Sequence, residues 1–219
     1  MRLSLCLIVR DEVDLLPACL ESARPHVDEI VVVDTGSRDG TLDVARAAGA
    51  RVVELAWTDD FAAARNASLA AASGDHALVI DADERVADTS ARAKFEAYVA
   101  RRADGVGRVV IENRPGGSRT EVSRLLPLDG RHRFEGRVHE QVVRTDGEPH
   151  RGSTGVTFVH LGYDPTVVAA RGKVRRNVEL LRRELLERPY DGYLWYQLGR
   201  TLRGDGARTP KRAKPWSDR

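Results

Sequence analysis

The seven residues Leu3–Val9 (LSLCLIV) carry no charge and no sustained polar–apolar alternation, and this constrains the fold more than any other feature of the chain. A strand with apolar side chains on both sides must be covered on both faces, as a central strand of a parallel sheet between helices is. Comparable runs follow at Glu29–Val33, ending at Asp34, at Arg51–Leu55, and at His76–Ile80, ending at Asp81. Between them the spacing predicts helices over Glu12–Ala23, from about Thr41, and over Phe61–Ala72. Asp11 is the expected N-cap of the first, with Val13, Leu16 and Leu20 on its apolar stripe. Strands alternating with helices of this length imply crossover units and a Rossmann-like, mostly parallel α/β sheet.

Ligands of such sheets bind beyond the carboxyl ends of the strands. Asp11, Asp34 and Asp81 each stand just past the apolar part of a strand, forming a rim suited to a cation or a polyhydroxyl ligand. The strongest chemical signal is Val79-Ile80-Asp81-Ala82-Asp83-Glu84, an apolar strand feeding two carboxylates spaced two apart. Such a pair can share a divalent ion with a diphosphate, since Mg²⁺ and Mn²⁺ favour oxygen ligands. The plainer alternative is an acidic helix start, favoured by the helix dipole.

Bulk properties exclude several classes. With 31% charged residues and a formal charge of only +2, the chain lacks the basic excess of a nucleic-acid binder. Arg10-Asp11-Glu12 follows the N-terminal apolar run at once, without a cleavage site, so neither a signal peptide nor a transmembrane segment is expected. Cys6 and Cys19 are too few for a disulfide framework and are expected as core residues of a cytoplasmic protein.

Past Arg101, runs at Arg108–Glu112, Thr120–Leu126, Arg137–Val143 and Thr154–His160 predict a mixed or antiparallel extension of the sheet. Pro165–Leu186 is helical by spacing, with Val167, Val168, Val174, Val178, Leu181 and Leu185 in one stripe, and Tyr190–Leu202 carries a second, aromatic-rich helix. The pair reads either as the opening of a helical-repeat array or as helices packed on the preceding domain, because one repeat cannot bury its own face. A homodimer through such helices is compatible with this pattern. The basic end, 204–219, is expected to be disordered.

Six segments in order carry a resemblance to glycosyltransferase family 2 enzymes of the GT-A fold, especially those with tetratricopeptide-like C-terminal helices. They are Leu5–Glu12, Val32–Thr41, Asp60–Asn66, Ile80–Glu84, Phe134–Glu140 and His160–Tyr163. The resemblance implies a GT-A domain over 1–163, with a donor half to about 104 and an acceptor half from about 105, then a helical pair over 164–203. It implies inverting transfer from a nucleotide-sugar, with a UDP-sugar favoured, to an acceptor that the sequence does not identify. Val9, Asp11, Glu12, Asp34, Arg65, Asn66 and Asp81 are expected at the donor, Asp34 reading the nucleobase and Arg65 holding base or diphosphate. Asp83 and His160 are expected on a divalent metal, Mn²⁺ or Mg²⁺. Glu140 is the expected general base, with His139 and then Glu135 behind it; many relatives have an acidic pair where this chain has His139-Glu140.

The residues alone leave other readings. Asp34 can bond its own turn backbone, and Glu140 can pair with Arg133 or Arg137. Dehalogenase-like phosphatases carry their carboxylate pair on the first strand, not the fourth, and nucleotidylyltransferases need a glycine-rich, lysine-bearing first loop that is missing here. A catalytically inactive, nucleotide-sugar-binding scaffold acting through its C-terminal helices is the main non-enzymatic alternative.

Overall fold

In the computed structural model, which describes residues 1–114, 116–161 and 172–203, β1 (Leu3–Val9) runs parallel between β2 (Glu29–Asp34) and β4 (His76–Val79). β3 (Arg51–Glu54) extends the parallel set beyond β2. Leu3, Leu5, Leu7 and Val9 enter one core cluster, with Leu16, Cys19 and Leu20 of α1 (Leu16–Ala23) and Phe95 of α4 (Ala91–Arg101). Cys6 points the other way, into a second cluster with Ala62 and Leu69 of α3 (Phe61–Ala71). Both faces of β1 are therefore covered, which is why its sequence does not alternate. Both cysteines are free and buried; burial pushes the Cys6 thiol up to about 12, which leaves it inert.

Beyond β4 the sheet becomes mixed. β7 (Arg119–Pro127) lies antiparallel to both β4 and β6 (Val106–Asn113), β10 (Arg151–His160) runs parallel to β6, and β5 (Glu84–Val86) pairs antiparallel with β10 at the edge. The two reversals at β7 cancel, so β6 and β10 point the same way as β1 and β4. Asn113 and His160, the last residues of β6 and β10, thus emerge on the edge that carries Asp34 and Asp81.

Several local expectations are corrected. α1 begins at Leu16, four residues late, and Leu15 stands at its cap position without a side-chain bond. Asp11 has φ 53° and serves a turn instead. The segment after the carboxylate pair is a strand, not an acidic helix start. α4 escaped the periodicity reading because its buried stripe is only Ala91, Phe95 and Tyr98. Of the expected strand Arg137–Val143 only the part from Gln141 is extended: β8 (His132–Glu135) and β9 (Gln141–Arg144) form a separate hairpin. Its loop contains Gly136 at φ 105° and His139 at φ 58°, left-handed conformations that a continuous strand cannot contain.

The chain divides into two compact units, Met1–Lys173 and Val174–Arg219. In the second unit's helices, α5 (Lys173–Glu187) buries Leu180, Leu181 and Leu185, and α6 (Gly192–Leu202) buries Leu194 and Leu198. Asp191 caps α6 by accepting from the Tyr193 and Leu194 amides. The expected boundary at 163/164, the expected helix start at Pro165 with Val167 and Val168, and the basic end all lie outside the described residues. No helix among the described residues is long and apolar enough to cross a membrane.

Candidate active site

The first wall of the site is two loops stitched together. The Asp11 amide donates to the Ser37 hydroxyl and the Arg38 amide to Asp11 Oδ1. The Glu12 amide donates to Thr41 Oγ1, and the Val13 amide to Asp39 Oδ2. Asp39 also accepts from the Thr41 amide, preparing the helix α2 (Thr41–Ala47) as the turn chemistry predicts. Asp34 is 2% exposed and accepts from the Gly36 and Ser37 amides at 3.0 Å each, and from the Ser37 hydroxyl. Its carboxylate therefore holds the turn, which is the alternative its sequence context allows. Val9 does not present a free group here: its side chain is in the core and its carbonyl accepts both the amide and the hydroxyl of Thr35.

The second wall is the carboxylate pair. β5 and β10 pair with His160 opposite Glu84, and that register brings Asp83 to His160, Oδ2 to Nε2 at 3.2 Å. Asn113 Oδ1 lies 2.8 Å from the other ring nitrogen, Nδ1. An acceptor there takes the Nδ1 proton and turns Nε2 toward Asp83, the arrangement by which outer partners orient metal-binding histidines. Burial opposes charge on His160, but the hydrogen bond and charge of Asp83 outweigh it and raise its pKa. Among the described residues no group of three or more His, Cys, Asp or Glu side chains is arranged to hold a metal. Asp83 and His160 are two residues of ligand type side by side, and a divalent ion held by so few protein groups would need water and substrate oxygens to complete its shell.

Between these walls lies a charged cluster that the sequence only half reveals. Arg65 on α3, 7% exposed, donates from Nη2 to Asp81 Oδ1 at 2.9 Å and from Nε to Glu140 Oε1 at 2.5 Å. Its guanidinium carbon lies 5.6 Å from the centre of the Phe134 ring. Arg124 on β7 was not anticipated: its Nη2 donates to Asp81 Oδ2 at 2.7 Å and to Glu84 Oε1 at 2.5 Å. Desolvation would push Asp81 up, but Arg124 and Arg65 outweigh it and hold its carboxyl well below the usual range. Glu84 goes the other way; desolvation raises it, against Arg124 and helped by the Asp81 charge. The signal available for Arg124 was its place at the apolar end of a strand, next to Leu125-Leu126, since an arginine is almost never buried unpaired.

Glu140 therefore pairs with Arg65, while Arg133 pairs with Glu135. His139 sits beside Glu140 in the left-handed region, and the Phe61 amide ties the same loop to α3 through the Arg137 carbonyl. Asn66, expected at the donor, has a structural contact: its amide donates to the Phe134 carbonyl at 2.9 Å and accepts from the Phe134 amide at 2.8 Å. Asn66→Ala leaves both backbone groups unmet and is expected to cost about 1–3 kcal/mol, read by chemical denaturation. A loss of nucleotide affinity without loss of stability would favour the donor role.

Comparison with known proteins identifies the family and the fold. The model of the family described as "Glycosyl transferase family 2" matches residues 4–156. A TPR repeat-containing protein of Synechococcus elongatus is 36% identical, the match covering 94% of this chain and 53% of that protein. The SPbeta prophage-derived glycosyltransferase SunS of Bacillus subtilis is 28% identical, over 90% of this chain and 48% of SunS. The chain thus spans about half the length of the curated relatives it matches. Among solved structures, S. aureus TarS 1-349 in complex with UDP-GlcNAc superposes with a TM-score of 0.62 at 14% identity, covering 84% of this chain and 67% of that one, and so shares the fold. By the extent of the family match and the order of its motifs, this chain is a member of glycosyl transferase family 2.

Proposed function

We propose that the chain is a nucleotide-sugar-dependent glycosyltransferase, inverting and metal-assisted, with Asp83 and His160 as metal ligands and Glu140 as general base. The single observation that carries this reading is the convergence of the Asp83–His160 pair with the Arg65–Glu140 pair around one residue, Asp81. Membership of the family and the glycosyltransferase name of SunS support the reaction class. UDP is the nucleotide to test first, because TarS, of the same fold, binds UDP-GlcNAc.

In one displacement, an acceptor hydroxyl attacks the anomeric carbon, the bond from that carbon to the diphosphate breaks, and the hydroxyl proton passes to a carboxylate. Glu140 suits the last task. Its Oε1 is anchored by Arg65, so Oε2 is the oxygen left to take the proton. A divalent cation held by Asp83 and His160 would supply charge stabilisation for the departing diphosphate. Arg65 retains a buried Nη1 without a hydrogen-bond partner among the described residues, a donor suited to a phosphate or base oxygen. Asp34 keeps its turn bonds while offering remaining acceptor capacity to a nucleobase N–H, since each carboxylate oxygen has two lone pairs. Asp11 and Glu12 shape the same wall through the stitched loops.

Calorimetry of UDP with Mn²⁺, then with chelator, tests the reading. The wild type is expected to bind UDP only with the metal, and Asp83→Ala to weaken binding by at least about tenfold, as losing even an outer-shell partner does. No binding of UDP or of GDP by well-folded wild type, with or without metal, would sink the transferase reading; metal-dependent binding without turnover would favour the inactive scaffold.

A further inference from the structure

Arg124 occupies a break in the sheet. In the β6–β7 pairing Gly107 faces Leu125 and Arg108 faces Ser123, so Arg124 is the extra residue of a β-bulge. The break shows in the packing: Val122 and Leu125, three residues apart, join the same core cluster, where an unbroken strand would send them to opposite faces. Bulges re-aim a side chain, and they recur beside active sites. Here the re-aimed side chain, 7% exposed, ends on the carboxylate turn.

One nitrogen makes both contacts. Arg124 Nη2 reaches Asp81 Oδ2 and Glu84 Oε1, and Glu84 Oε2 accepts from the Asp81 amide at 3.0 Å, closing a ring around Asp81. Asp81 Oδ1 then faces Arg65, whose Nε holds Glu140. The order of contacts is Arg124, Asp81, Arg65, Glu140, running from the sheet to the proposed base. Stability alone explains this poorly, because a buried ion pair is often matched or bettered by apolar residues of similar volume.

We propose that Arg124 is a positioning residue: by fixing both the plane of the Asp81 carboxylate and the turn beneath it, it sets the place of Arg65 and through it of Glu140. The inference rests on the transferase reading above. Asp83 and His160 are aligned by the β5–β10 register and by Asn113 instead, so the loss expected on changing Arg124 falls on turnover more than on metal-dependent UDP binding.

The test compares Arg124→Gln, Arg124→Lys and the double variant Arg124→Gln/Glu84→Gln, which removes both members of the buried pair and guards against misfolding. The readouts are calorimetric UDP binding with Mn²⁺, UDP release from UDP-glucose and UDP-N-acetylglucosamine, and the crystal structure of the double variant. In UDP release water replaces the acceptor: its oxygen bonds to the anomeric carbon, its proton passes to Glu140, and UDP leaves with the electron pair. The expected result is a fall in kcat of about tenfold or more, since each tenfold is a small fraction of the barrier. UDP affinity falls by less than kcat does, because Asp83 and His160 keep their place while the Arg65 contact is disturbed, and Asp81 is turned away from Arg65. Lys, which can place one charged nitrogen between the two carboxylates, restores part of the rate. Unchanged kcat, or an unmoved Asp81–Arg65–Glu140 chain in the folded double variant, would overturn the positioning role. So would a parallel loss of UDP affinity and turnover that tracks lost stability. Wild type that binds neither UDP nor GDP would overturn the transferase reading itself, and the positioning role with it.

Discussion

Glu140→Gln lowers turnover by about two to four orders of magnitude, the range expected when a general base is removed, while UDP affinity stays within about threefold. The substitution is nearly isosteric, and its amide oxygen still accepts from Arg65 Nε in place of Glu140 Oε1. Folding is not the weak point. Arg65 and Arg124 face Asp81, Glu84 and Glu140, so the cluster carries one carboxylate more than it has guanidinium groups, and neutralising Glu140 balances it. What the variant loses is the ability to hold a proton. Steady-state release of UDP, with calorimetric UDP binding on the same preparation, separates the two. Full turnover by Glu140→Gln would move the base to His139, or behind it to Glu135.

Arg65→Met acts on stability first. The side chain is 8% exposed and bridges two carboxylates that stem from different elements, Asp81 after β4 and Glu140 before β9. Methionine fills much of the volume but leaves Glu140 without its cation and Asp81 with only Arg124. Breaking a buried pair from one side costs about 3–5 kcal/mol, a melting-temperature drop on the order of 10 °C for a chain of this size. The double variant Arg65→Met/Glu140→Gln removes the stranded charge and is expected to recover about 1–3 kcal/mol, the coupling typical of contacting residues. Melting within about 2 °C of wild type for Arg65→Met would show that the cluster is solvated and the pairing weak.

Legibility of the sequence followed the physics of each element. β1, β2 and β4 were visible because burial on both faces leaves an apolar run, and Asp34 and Asp81 because they end such runs. β5 was not, since three residues cannot show a period and their pairing depends on β10 far along the chain. The Asp83–His160 meeting was implied by resemblance only; its cause is a strand register, which no local pattern encodes. Asn66 was expected at the donor by resemblance; one position along a helix changes the face by about 100°, and its contact with the Phe134 backbone was not legible in the sequence. Arg124 was hidden by a bulge, which shifts alternation by one residue without leaving a glycine or proline to mark it.

The place of β10 in the sheet has a consequence for how the molecule is made. β5 has β10 as its partner in the sheet, and β10 is the last strand among the described residues. During synthesis β5 leaves the ribosome with α1 already made, to which Arg85 and Val86 bond, but long before its strand partner. When β10 inserts between β6 and β5, it completes the sheet and delivers His160 to Asp83 in one event. Closing so long a loop is slow relative to local helix formation. The meeting of Asp83 and His160 is therefore tied to the arrival of β10, and nascent chains shorter than that strand lack it.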